Sequence, residues 1–526
     1  MAKQQDWRTR WRQLCRVELW LAGVVALVLF LSLHPFLLAN VGVITKDEGI
    51  GDFATALKFA QGEILQPWTL KDVHTVLFWD HWFDLWPRIA TWPLTLTFIV
   101  AIFYAIWKRQ PWSLLALVWC AIYFIPIGLI SVKAVRHLVP LLPFMALFTG
   151  MLYTAVSERY RRLAQGAALS FVAHIGFSGL AFSQVYTTED SRIQVAQWIS
   201  ENIPVGSRIG LENGAFSVHK MVDSRHHPHT WINTSRLFYT APYQLCSNQV
   251  DYLRGRLLSA EYLIIIDANR AAQFRAVPNL FPVVAGFYAR LIDGQLGFDL
   301  MRRYKVYPEL AGVKIIDDTA VPDFLGYDHP AVMIFRRSDI TDVEKAFADW
   351  HRDIRLNTYC PDRDLQAITA MLLDGRLREA QALLKNSAHR HSNTQITQLI
   401  EAKVFRMLGR ESEARTAKEH VWPENVTGLM SHINHDDTIY LVPALLSLSV
   451  AELRLPNLAI EILTDGIART KSLSLDHSKR MAESYRTVAH YMLQNGHTEA
   501  FEHSLSLSMR IHPEPNGVEF ACSTSS

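Results

Sequence analysis

Five apolar stretches, each long enough to cross a bilayer, constrain this 526-residue chain more than any other feature. A spanning helix needs about 20 mostly apolar residues, and Leu19–Leu38, Ile89–Trp107, Ser113–Val132, Leu138–Val156 and Ala164–Tyr186 qualify. The expected amino-terminal architecture is therefore an α-helical polytopic membrane region with about five spans over residues 1–186. The first run is longer than the apolar region of a signal peptide and has no small-residue cleavage site after it, so it reads as an anchor. Basic residues cluster at Lys3, Arg8, Arg10, Arg12 and Arg16, at Lys108 and Arg109, and at Arg159, Arg161 and Arg162. With five spans all three clusters fall on one side, which places the amino terminus in the cytoplasm and everything after Tyr186 outside the inner membrane.

The net charge of +2 gives no reason to expect a nucleic-acid partner. Five widely separated cysteines, at positions 15, 120, 246, 360 and 522, exclude a zinc staple or a disulfide framework. At most one disulfide can form among the three outer ones, and its pairing is not readable. The first outer loop, residues 39–87, leans acidic and ends in FWDHWFDLWP. There Phe78, Trp79, Trp82, Phe83 and Trp86 recur at helical spacing with Asp80, His81 and Asp84 on the other side. Such a segment suits the membrane interface, as an anchor or as the wall of a substrate groove.

Beyond the membrane region the pattern becomes α/β over residues 187–340. Ser191–Asn202 reads as a helix stopped by Pro204 and Gly206. The short runs RIGL (208–211), YLIII (262–266), VKII (313–316) and AVMIF (331–335) read as buried strands of a small extracytoplasmic sheet. Residues 341–526 read as all-α. LLDGRLREAQALL and RMLGRESEARTA align with Gly375 on Gly409 and Ala380 on Ala414, 34 residues apart, and looser echoes surround Ala459 and Ala500. That first spacing is the tetratricopeptide period, so the third domain is expected to be tetratricopeptide-like, with an unrelated helical bundle as the other possibility.

Lys133, Arg136 and His137 sit between the third and fourth spans on the side where basic residues are under-represented. Two cations and an imidazole at membrane level suit a lipid-linked phosphate, while snorkelling to water is the plainer role. His219 and the HHPH run (His226, His227, His229) lack the companions that complete a metal site and read as a polar loop.

The run KAVRHLVPLLPFMAL resembles the late membrane segment of C-type glycosyltransferases, the superfamily of protein O-mannosyltransferases and bacterial aminoarabinose transferases. DSRIQVAQWISENIPVGSRIGLENG resembles the start of their outer domain, and YDHPAVMIFRR its closing strand. The likeness covers residues 15–340. It implies inverting sugar transfer from a polyprenyl-phosphate donor on the outer face, with donor-phosphate contacts at Lys133, Arg136 and His137. It also implies an acidic residue in the first outer loop acting as base or as ligand of a divalent metal. Family members have more than twice as many spans, so the half carrying that acid is missing here. Asp47 and Glu48 in TKDEGIGDFATALKFAQGE are the candidates for its role.

The functional expectation is a membrane glycosyltransferase-related protein of envelope glycan assembly, with a multi-span partner chain supplying the catalytic acid. The alternative is a non-catalytic membrane scaffold that binds envelope proteins through its helical repeats. A third possibility is one piece of an interrupted gene.

Overall fold

A computed structural model describes residues 24–25, 28, 59–62, 65–212, 218, 222–266, 270–318, 320, 325–326, 328–357, 359–390, 395–419, 437–469 and 475–511. The first expected span lies almost wholly outside the described residues, as do Asp47, Glu48, His219, Cys15 and Cys522.

Four helices are long and apolar enough to cross a membrane, which fits a multi-pass membrane protein. They are α1 (Trp86–Lys108), α2 (Pro111–Gly128), α3 (Leu142–Arg159) and α4 (Arg161–Val185). Their boundaries follow those read from hydropathy within a few residues. Buried Ala101 and Ala105 of α1 lie in one apolar core with Met145 and Phe148 of α3, where small side chains let two backbones approach. Leu163, Leu169, Val172 and Leu180 of α4 stay exposed, as expected of a face whose solvent is lipid. The connections after α1 and α3, which carry Lys108, Arg109, Arg159, Arg161 and Arg162, are very short. The opposite end of the bundle leads into the α/β region.

The aromatic segment departs from its sequence reading. Residues His81–Leu85 form a π-helical turn that runs directly into α1. Its wider winding turns His81 and Leu85 inward, to 1% and 2% exposure, beside buried Trp86. Trp79 and Phe83 stack on the outside with ring centroids 4.0 Å apart. His81 is thus part of the core and does not share an outer polar face with Asp84.

The α/β region is built on a five-stranded sheet of order β2–β1–β3–β7–β4. The strands are β1 (Ile209–Glu212), β2 (His229–Ile232), β3 (Tyr262–Ile266), β4 (Phe298–Tyr304) and β7 (Val332–Arg337). The first three are parallel, and β7 runs antiparallel to β3 and β4. Strand β3 is central and buried throughout. Leu263 and Ile265 join one core, and Tyr262, Ile264 and Ile266 the other, the period-2 alternation of a strand covered on both faces. Helix α5 (Ser191–Asn202), capped by Asp190 accepting from the Arg192 amide at 2.7 Å, covers the second face through Val195 and Ile199. The first face is covered by α6 (Thr234–Thr240), α7 (Cys246–Leu258), α8 (Pro282–Ile292) and α9 (Ile340–Leu356).

VKII is not a strand of this sheet. Only Val313–Lys314 is extended, as β6 of a separate two-stranded hairpin with β5 (Glu309–Leu310), and Val313 and Ile316 are exposed. The hairpin turns through Ala311 and Gly312 and packs beside α4, at the junction with the membrane bundle, so its apolar residues never enter the core.

Among the described residues after Asn357 the helices come in antiparallel pairs: α10 and α11 (Asp362–Leu373, Leu377–Arg390), α12 and α13 (Gln395–Met407, Glu411–Glu419), α14 and α15 (Asp437–Glu452, Pro456–Arg469), α16 and α17 (Leu475–Gln494, Thr498–Ile511). Each pair turns through one left-handed residue: Gly375, Gly409, Arg454 and Gly496. In all four the amide after that residue donates to a carbonyl five residues back, as Arg376 does to Met371 and Leu455 does to Val450. These are Schellman turns, which satisfy the last carbonyls of the first helix. The alanines noted in the sequence, Ala380, Ala414, Ala459 and Ala500, are all buried where the second helix of each pair meets the core. A Cys246–Cys360 disulfide fastens the start of α7 to the residue pair preceding α10. Beside it the buried Asp362 carboxylate accepts from the amides of Cys246 and Ser247 at 2.8 and 2.9 Å, which caps α7 from the neighbouring element.

Candidate functional site at the mouth of the membrane bundle

The segment 65–75 joins the membrane bundle to the α/β region. Leu70 is fully buried in the sheet's core, with Leu65 and Val73 packed against the same cluster. Polar contacts fix its register there. The Tyr239 hydroxyl donates to Gln66 Oε1 at 2.6 Å, and the Lys71 amide donates to Gln273 Oε1 at 2.9 Å. On its other side the segment is stitched to the connection between α2 and α3. Thr75 Oγ1 donates to the Ser131 carbonyl at 2.9 Å, and the Lys133 amide donates to Asp72 Oδ2 at 3.2 Å.

This arrangement buries Lys133 between the segment 65–75 and the end of the bundle. The side chain is only 3% exposed, and its ammonium donates to the Ile130 carbonyl at 2.6 Å. It does not snorkel to water. Burial pulls its pKa below the ordinary lysine value, and the charges of Asp80 and Asp72 oppose that shift. His81 lies within reach of the same field. Burial, reinforced by Lys133 and His137, lowers its pKa to about 4, so its ring is neutral at physiological pH. Among the described residues its Nδ1 has no hydrogen-bond partner, and neither has His137 Nδ1. The His137 carbonyl accepts from Tyr123 Oη of α2 at 3.1 Å, which holds the short Val135–His137 turn against the bundle. Arg136, on the same turn, is exposed.

The three residues singled out as phosphate contacts therefore lie together at one end of the bundle, but in different environments. Lys133 is internal, His137 half-buried and Arg136 outward. Sequence reasoning missed the acids that accompany them. Asp72 and Asp80 sit in the first outer loop among other acidic residues, and only the fold of the loop onto Lys133 separates them from solvated neighbours. A signal existed in the aromatic flank of Asp80 and His81. His226 pairs with Asp223 at 3.2 Å, and among the described residues no group of three His, Cys, Asp or Glu side chains is placed to hold a metal ion.

A second polar cluster lies at the carboxyl ends of the parallel strands. Glu212, ending β1, accepts from Tyr288 Oη, and Tyr288 Oη also contacts Thr234 Oγ1 at 3.0 Å. Tyr288 is fully buried and its pKa is pushed well up. The network is buried beneath α8 and ties that helix to the sheet.

Compared with known proteins, the chain matches no family model, no curated protein and no solved structure. The geometry of the mouth and the short motifs carry the functional argument.

Proposed function

We propose that this protein takes part in transfer of a sugar from a polyprenyl-phosphate donor at the outer face of the cytoplasmic membrane, as a short relative of the C-type glycosyltransferases. The observation that carries this reading is Lys133, buried at the end of an apolar helical bundle, beside two imidazoles whose Nδ1 atoms have no partner among the described residues and an exposed Arg136. A phosphate on a lipid chain approaches such a mouth from the bilayer. Arg136 then meets it first, and Lys133 with His81 and His137 supplies inner donors. Asp80 is half-buried, close enough to Lys133 for its charge to be felt there, and is a source of a general base among the described residues. The Cys246–Cys360 disulfide supports an oxidising compartment for the α/β region. The basic ends of α1 and α3 support a cytoplasmic face at the opposite end of the bundle. A partner chain with further spans completes the acceptor site in this reading.

The test is sugar transfer to envelope glycan in membranes carrying the protein. Lys133→Ala with Arg136→Ala is expected to lower transfer at least about 100-fold, the loss of two charge-assisted contacts. Unchanged transfer contradicts the donor-binding role.

The second reading, a non-catalytic scaffold, is favoured by one observation. Among the described residues four helix pairs follow one another after Asn357, with an open cavity where the turns of the first three meet. On that reading deletion of residues 360–526 abolishes complex formation, and substitutions around Lys133 are silent.

A further inference from the structure

Three of the four hairpin turns in the carboxy-terminal helical array hold glycine at the left-handed position, and the third holds Arg454 with φ of 61°. A side chain at that dihedral is strained relative to glycine, and strained backbone concentrates where a side chain has a task. Arg454 lines a cavity of about 300 Å³ formed where the turn ends of the first three hairpins meet. Lys403 of α12 lines it too, and among the described residues no acidic side chain does. Among the described residues neither cation has an ion-pair partner. This distinguishes them from Arg376, Arg410, Arg406 and Lys418 of the same array, each held by a carboxylate.

The cavity walls between the two cations are apolar. Leu373 and Met407 are 59% and 42% exposed there, an expensive exposure for side chains that pack readily elsewhere. A compact anion between the two cations leaves the apolar walls of a cavity this size bare. An extended chain covers them, with a carboxylate side chain between Lys403 and Arg454 and apolar side chains on Leu373 and Met407.

We infer that this face binds a partner through an extended peptide segment in which acidic and apolar residues alternate. The site lies on the turn side of the array and is independent of the donor-phosphate reading. Net positive charge without an internal counter-ion is the complementarity that selects an acidic partner over a neutral one.

The experiment uses the full chain in nanodiscs and three fluorescein-labelled eight-residue peptides, alternating leucine with glutamate, glutamine or lysine. Fluorescence anisotropy is expected to show the glutamate peptide binding at least about 10-fold more tightly than the glutamine one, with the advantage shrinking as salt rises. Lys403→Gln and Arg454→Gly should each weaken the glutamate peptide about 5-fold. Arg454→Gly should at the same time raise the melting temperature, because it relieves the left-handed strain, so lost binding cannot be put down to misfolding. Equal affinity for the glutamate and glutamine peptides overturns the inference. So does unchanged affinity in the double variant, or binding of the same face to phosphatidylglycerol vesicles in place of the peptide.

Discussion

At the residue scale, the buried ionisable groups give the molecule an identifiable pH response. Glu452, near the end of α14, faces Asn248, Asp251 and Asp362, and burial is the main cause that raises its pKa from 4.5 to about 7. The folded state therefore binds a proton that the unfolded chain releases between about pH 4.5 and 7. The stability tied to the protonated carboxyl is fully present below the unfolded value and is lost as pH rises through 7. At full burial such a displacement corresponds to about 3 kcal/mol, and partial exposure reduces it. Thermal melts of the wild type between pH 5 and 8 should show this fall, and Glu452→Gln should flatten it while raising the melting temperature at pH 8. A Glu452→Gln profile parallel to the wild type would show that the carboxyl is hydrated. None of this was legible in the sequence, because Glu452 stands in a run that fixes neither its depth nor its acidic neighbours on α7 and α10. Lys133 illustrates the same limit: its charge against the topological trend marked it, but its internal position depends on Asp72 arriving from 61 residues away.

At the scale of elements, legibility followed the strength of local patterns. Helix α5 and strand β3 were readable residue by residue, since each has caps or breakers at its ends and an unbroken burial pattern. Strands β2 and β4 were not, because HTWI and FDLMRRY lie at the sheet's two edges and mix polar with apolar side chains. The helical pairs were visible through their glycines and alanines, yet the third pair's turn hid behind Arg454. A residue in this left-handed conformation costs roughly 1–2 kcal/mol relative to glycine. Close contact between pairs gives a second measurable consequence. A Cβ at Gly466 of α15 would lie 2.6 Å from Pro443 Cβ of α14 and 2.6 Å from the Tyr485 hydroxyl of α16. Tyr485 is fully buried and donates to the Leu463 carbonyl at 2.9 Å, so it has no room to retreat. Gly466→Ala is expected to destabilise the array by about 1–3 kcal/mol, read as a lower denaturant midpoint for the helical signal. A midpoint equal to the wild type would mean the three helices pack more loosely than described.

At the scale of the whole molecule, the segment 65–75 makes the bundle mouth and the sheet one continuous structure, with Leu70 in one core and Asp72 on the Lys133 backbone. The orientation of that structure is the premise of the donor-lipid proposal. Reporter fusions placed after Tyr186 should be active only outside the cytoplasm, and Cys246 and Cys360 should be protected from thiol reagents until reduced. Cytoplasmic activity of the fusions would remove the proposal's setting. The most direct measurement is binding of a short prenyl phosphate, farnesyl phosphate, to the protein in nanodiscs, with farnesol as the control that shares the chain and lacks the anion. The wild type is expected to favour the phosphate at least about 10-fold, a difference of about 1.4 kcal/mol. Arg136→Gln, exposed and harmless to the fold, should reduce that preference, and Lys133→Gln with Arg136→Gln should abolish it. Equal binding of farnesyl phosphate and farnesol by the wild type would contradict a phosphate site at the bundle mouth.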